Sequence, residues 1–210
     1  MKNLKFATLV SGLFLAFQVS FAQRIDLRSG DVAVLEGQKV LNVQYDYSDF
    51  GVGKFATEKE YLDKKSAEYN AKEAGKGDEW KKAWVADRKN RYEPKFEELF
   101  NKGLEEKGLK AIQGSQDAKY TLIIKTVFLE PGFNVGVMRK NAYLNYKVDL
   151  IETSGKSTVA EMVLNNVPGG QFMGMDYDAG TRIAESYAKA GKILAAYVDK
   201  KLKLLHYYLF

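Results

Sequence analysis

A chain of 210 residues with no cysteine and a single histidine excludes disulfides, thiol chemistry and Cys/His zinc sites. Its 32 Lys/Arg and 27 Asp/Glu give a net charge of +5 with the two signs interspersed, not the basic stripe of a nucleic-acid binder. No G-x-x-x-x-G-K-[ST], G-x-G-x-x-G or H-E-x-x-H motif occurs, so phosphate-loop, dinucleotide and zincin chemistries have no support.

Residues 1–22 have the three parts of a secretory signal peptide. Lys2 and Lys5 precede an apolar run from Phe6 to Phe17, broken by Thr8, Ser11 and Gly12. Ser20 and Ala22 then put small residues at the −3 and −1 positions of a cut before Gln23. The run is shorter than the about 20 residues that span a bilayer. The pattern predicts export to the periplasm or beyond in a Gram-negative cell, and no Cys is present to carry a lipid anchor. Cleavage removes two lysines and no acid, lowering the net charge by two. Residues 23–210 are expected to form one domain, whose size allows it to bury roughly 70% of its unfolded surface without staples.

Residues 23–31 show no sustained period and read as a lead-in. Val32 to Leu35 reads as a short strand, and Gly37 suits a II′ turn into the next. There Leu41, Val43, Tyr45 and Tyr47 share one face and Asn42, Gln44 and Asp46 the other, the alternation of a half-buried strand. After a loop to Ala56, Thr57 with Glu60 has capping-box spacing and opens a charged helix to about Glu73. Gly75 to Asp78 ends it, with Asp78 as the expected cap of a second helix. Trp80, Trp84, Arg88 and Tyr92 recur every four residues along that helix. Glu93-Pro94 predicts a restart, and Phe96, Leu99, Phe100 and Leu104 give 3/4 spacing up to Gly108. Residues 57–107 are thus a helical insertion.

Leu109 to Ile112 reads as a strand. Lys119 to Glu130 has apolar residues at both parities and is expected to be central and covered on both faces. Asn141 to Glu152 alternates through Ala142, Leu144, Tyr146, Val148 and Leu150, and a turn at Thr153 to Lys156 returns the chain as Ser157 to Val167. Asp178 can cap a last helix to about Lys203, buried along Ile183, Tyr187, Ala190, Leu194, Val198 and Leu202. Ala184, Ala188, Gly191 and Ala195 flatten its adjacent face for close approach to a sheet. The expected fold is α+β: an antiparallel sheet of four to six strands with a long C-terminal helix and the helical insertion packed on it, a two-layer sandwich.

Asp117-Ala118-Lys119-Tyr120-Thr121-Leu122, opening a strand, resembles the A-D-Y-x-L openings of small bacterial envelope proteins. Asp149 to Lys156 is similar to their L-x-D-x-x-T-G-K hairpins. The relatives are periplasmic α+β domains of the anticodon-binding-like type, found in outer-membrane secretion and cell-wall-synthase-activating lipoproteins. The resemblance covers about half of the mature chain. It implies a fold of the same order and action by protein contact without catalysis. Residues 57–107 have no counterpart in it, and the family's lipid-anchoring cysteine is missing.

The residues offer little chemistry. His206, in the terminal tail, reads as a surface residue. Asp176 with Asp178, and Asp46 with Asp49, are thin calcium candidates better explained as caps and turns. Glu130 and Glu161 are possible members of a carboxylate pair for hydrolysis, a residual reading. No metal, cofactor or nucleic acid is expected. Two Gly-rich loops, 131–138 and 168–175, leave the ends of strands that an antiparallel sheet brings to one edge. Phe133, Val137, Met138, Phe172, Met173 and Met175 there make either a partner-binding patch or a plug for the sheet end. Trp80, Trp84 and Tyr92 either pin the insertion to the domain or form a stacking platform for a glycan or other small molecule. The resulting expectation is an exported, non-enzymatic envelope protein that binds an unknown protein partner, with ligand binding as the alternative.

Overall fold

The computed structural model describes residues 25–135, 137–170 and 177–209, the side chains from 206 onward excepted. The signal-peptide reading lies outside them. The first described residues form a strand, β1 (Ile25–Gly30), where the sequence reads as a lead-in. Its period is hidden by a bulge around Arg28, where the register against its partner slips. Val32–Leu35 is a 3-10 turn and not a strand. Asp31 caps it by accepting the Ala33 N–H, and Val32 and Leu35 enter the core from one short turn.

β2 (Val40–Asp46) and β3 (Gly51–Val52) follow. α1 (Glu58–Asn70) is capped as its sequence predicts: the Thr57 hydroxyl accepts the Glu60 N–H, and the Glu60 carboxylate accepts the Ala56 N–H. α2 (Lys76–Asp87) starts earlier than expected. Gly75, at φ +85, turns the chain, so Asp78 stands inside the first turn and not at the cap. A new α-helix starts at Glu93 with Pro94 in its first turn, as the sequence predicts, but the helical path before it is not broken. Pro has no N–H and crowds the carbonyl four residues back. The chain instead widens into a π turn (Arg88–Tyr92) and runs on helically into α3 (Glu93–Gly103).

The second half holds β4 (Lys110–Gln113), β5 (Tyr120–Glu130), the two-residue β6 (Phe133–Asn134) and β7 (Arg139–Lys140), β8 (Ala142–Glu152), β9 (Thr158–Gly169) and α4 (Ala179–Leu209). The sheet order is β1-β9-β8-β5-β2-β4, with β3 also on β5, giving seven strands. It is antiparallel from β1 to β5, as expected. Pairings β5–β2, β2–β4 and β3–β5 are parallel. The cause is the connection: three helices between β2 and β4 carry the chain back to the end where β2 began. The insertion is therefore the crossover of the sheet, and α3 is part of its core.

The helices lie on the face carrying Leu41, Val43, Leu122, Ile124, Leu144, Tyr146, Val148 and Leu150, all buried. β5 is not covered on both sides. A bulge at Val127 shifts the register, returning Leu129 to the buried face and sending Phe128 to the other, beside Tyr143. That outer face carries ion pairs of Lys125 with Asp46 and of Lys147 with Asp149 and Glu161. The small residues of α4 approach a helix: Gly191 and Ala195 lie against α3 at Phe96 and Gly103. α4 meets the sheet at Gly169, where a Cβ would be 2.0 Å from the Arg182 carbonyl oxygen.

Candidate functional site

β5 and β9 flank β8 and run in the same direction, so Glu130 and Gly169 end beside Tyr143 and Ala142 at one end of the sheet. The two Gly-rich loops leave from that end. Phe172, Met173 and Met175 lie outside the described residues, so half of the expected patch is not placed. The other half stands on a small hairpin, in which Phe133 pairs with Lys140 and Asn134 with Arg139, and the Val135 N–H donates to the Met138 carbonyl.

The base of this hairpin is built firmly. Gly132 has φ +62, and a Cβ there would fall 2.2 Å from the Lys140 carbonyl oxygen, so only glycine fits. Arg182 of α4 is buried and reaches across: its Nε donates to the Pro131 carbonyl at 3.0 Å and its Nη2 to the Gly132 carbonyl at 3.3 Å. Glu130 accepts the Gly132 N–H at 3.1 Å and pairs with Lys140 at 2.9 Å. That hydrogen bond and charge hold the Lys140 ammonium above the usual lysine pKa.

The tip is the reverse. Phe133 is 43% exposed, Val135 61%, Val137 100% and Met138 60%. A fixed base thus presents apolar side chains to solvent. Val135 and Arg182 escape a reading of the sequence alone. Val135 hides in a loop. Arg182 flanks the apolar stripe of α4 beside Ile183, and a charge at that position is the signal that could have found it.

The aromatic residues of the insertion pack inward. Trp84 is 6% exposed and Tyr92 3%, so neither ring offers a stacking face to a ligand. Trp84 donates its indole N–H to Glu58 at 2.7 Å and lies against Tyr61 and the half-buried Trp80. Burial raises the Tyr61 phenol pKa to about 12. Tyr92 stacks on Tyr187, whose hydroxyl meets Thr126. Nearby, buried Glu93 is held by Lys89, Gln113 and the Tyr47 hydroxyl. Burial pushes the Glu97 carboxyl up, against the hydrogen bond from Tyr45.

Among the other candidates, Asp178 caps α4 by accepting the Gly180 and Thr181 N–H groups. Asp46 accepts the Ser48 N–H in a turn. Glu130 and Glu161 are each engaged by a lysine. Asp176 and the His206 side chain lie outside the described residues. No group of three or more His, Cys, Asp or Glu that could hold a metal ion occurs among the described residues, and no described helix is long and apolar enough to cross a membrane.

No family model and no curated protein matches this chain. Solved structures similar to it include a PelC dodecamer from Paraburkholderia phytofirmans, 15% identical, matched over 79% of this chain and 96% of that one with a TM-score of 0.38. A second crystal form of PelC is 15% identical over 82% and 96%, with a TM-score of 0.37. A DUF330 protein from Xanthomonas campestris is 13% identical over 55% and 64%, with a TM-score of 0.32. These scores carry no functional argument.

Proposed function

We propose that this chain is an exported, non-enzymatic envelope protein that acts by protein–protein contact, with the hairpin around Val137 as its contact surface. One observation supports the reading: four large apolar side chains stand exposed on a hairpin whose base is fixed by Gly132, Arg182 and the Glu130–Lys140 pair. Clustered exposed apolar groups of this kind mark interaction sites. A rigid base lowers the entropy cost of ordering the contact on binding.

A photo-cross-linking side chain at Val137, compared with one at Lys65 on α1, tests it in cells of the native envelope. The expected result is a discrete protein adduct from position 137 alone, lost when Phe133→Ser and Met138→Ser are added. Equal labelling from both positions, or an adduct that survives those changes, would reject the hairpin as the contact.

A further inference from the structure

At the other end of β5, about 33 Å from the hairpin at 3.3 Å per residue, lies a second surface of different chemistry. The turn joining β8 to β9 and the loop before β5 bound a cleft of about 660 Å³. Asn42 of β2 lines it and is only 1% exposed. Its Nδ2 donates to the Thr121 hydroxyl at 3.0 Å, and that hydroxyl meets Thr153 at 2.9 Å. Oδ1 is buried and has no hydrogen-bond partner. Rotating the amide by half a turn does not cure this, because it exchanges an orphan acceptor for an orphan N–H. Either way, one polar atom beneath the cleft is left without a partner.

The rim supplies the rest of a recognition set. Lys119, Lys156 and Asp117 line the cleft with Ser154 and Gln116. Among the described residues none of these three charges is in an ion pair. A simple carboxylate entering the cleft would meet Asp117, and a simple amine would meet two lysines. A ligand with both charges answers all three, above the unpaired amide of Asn42. We propose that this cleft binds an amino-carboxylate, a free amino acid or a short peptide. Its volume lies within the range of about 300–1,000 Å³ typical of small-ligand sites. An adjoining cleft of about 330 Å³ shares Asn42, Gln44 and Gln116 and extends to Gln113 and Lys89, giving a longer chain a path.

The test is NMR titration of the labelled protein with glycine and triglycine. N-acetylglycine lacks the ammonium and glycine methyl ester lacks the carboxylate, so these two are the controls. The backbone amide signals of Gln44, Gln116, Asp117, Lys119, Thr153 and Lys156 are expected to shift with glycine or triglycine. The blocked compounds should bind at least about tenfold more weakly, a difference of about 1.4 kcal/mol. Triglycine binding more tightly identifies a peptide, and the reverse identifies a free amino acid. Lys119→Gln with Lys156→Gln, both exposed and outside the core, should weaken binding at least about tenfold without lowering the melting temperature. Signals unmoved by millimolar probe, equal binding of the blocked compounds, or undiminished binding by the double variant overturns the proposal.

Discussion

Gly191 of α4 lies against the Phe96 backbone of α3: a Cβ on Gly191 would stand 2.3 Å from the Phe96 carbonyl oxygen and 3.2 Å from the Phe100 nitrogen. Both are backbone atoms, so no side chain can turn aside, and the two helices must separate over the buried rings of Phe96 and Phe100. Helix propensity alone favours alanine over glycine by about 1 kcal/mol. Gly191→Ala is nevertheless expected to lose about 1–3 kcal/mol, the usual range for overpacking. Gly155→Ala, in a turn where the nearest atom to a new Cβ is the Glu152 carboxylate at 3.7 Å, should stay within about 0.5 kcal/mol. Thermal unfolding of the two variants checks the contrast.

Arg182 fixes the hairpin through two backbone carbonyls, so its loss should act locally before it acts globally. Arg182→Leu keeps bulk but leaves the Pro131 and Gly132 carbonyls without that donor. The expected cost is about 1 kcal/mol, the low end for polar groups left unpaired, because both carbonyls are only partly buried. Amide hydrogen exchange should rise first at Asn134 to Lys140, with Leu144 to Leu150 of β8 unchanged. A uniform rise across β8 would instead show that Arg182 serves the core and not the hairpin.

Glu58 ties α1 to α2 by accepting from the Trp84 indole and from Arg88, whose guanidinium lies 4.4 Å above the Tyr47 ring. Glu58→Ala strands both donors where little water reaches them. It should cost about 1–3 kcal/mol in urea unfolding. Glu58→Gln keeps an acceptor for the indole and should cost less. Because Trp84 is buried, acrylamide should quench it poorly in the wild type, and glycans or lipids should leave its emission unmoved. A ligand that shifts Trp84 emission would revive the stacking platform.

Where one periodicity ran unbroken, the sequence was readable. β8 alternates without fault over Ala142 to Leu150, and the α4 stripe from Ile183 to Leu202 is buried throughout. The losses came at irregularities. Bulges near Arg28 and Val127 each break a period of two, hiding β1 and making β5 look covered on both faces. Val32 to Leu35 is too short for its apolar run to distinguish a strand from a helical turn. The parallel pairing of β2 was implicit in the long helical connection after it, and reading residues 57–107 as an insertion into an antiparallel sheet concealed this. At the site, residue types gave the apolar tip, but not its anchor. Arg182 and Pro131 meet across 51 residues of sequence, and no local pattern encodes that.

Asp178 gives the pH prediction, and its sign follows from competing effects. Burial raises its carboxyl pKa, but the hydrogen bond from Arg91 and the Thr181 and Gly180 N–H groups outweigh it and hold the group below the usual aspartate range. A folded pKa below the unfolded value of about 3.9 means that the folded state binds this proton less tightly. The stabilisation is therefore fully present above about pH 5 and is lost as pH falls through the folded value. Glu97 behaves oppositely: its raised carboxyl favours the folded state at low pH, and that contribution fades as pH rises through its folded value. The two are separated by substitution. Asp178→Ala should cost about 1 kcal/mol at pH 7, as loss of a helix cap does. Asp178→Asn retains a capping oxygen and should cost less, since the half-exposed pair with Arg91 contributes at most about 1 kcal/mol. Between pH 6 and about pH 2, the gap between wild type and Asp178→Asn should close in urea unfolding. A gap that stays constant over that range would mean that the Asp178 charge does not contribute to holding the start of α4 against the π turn.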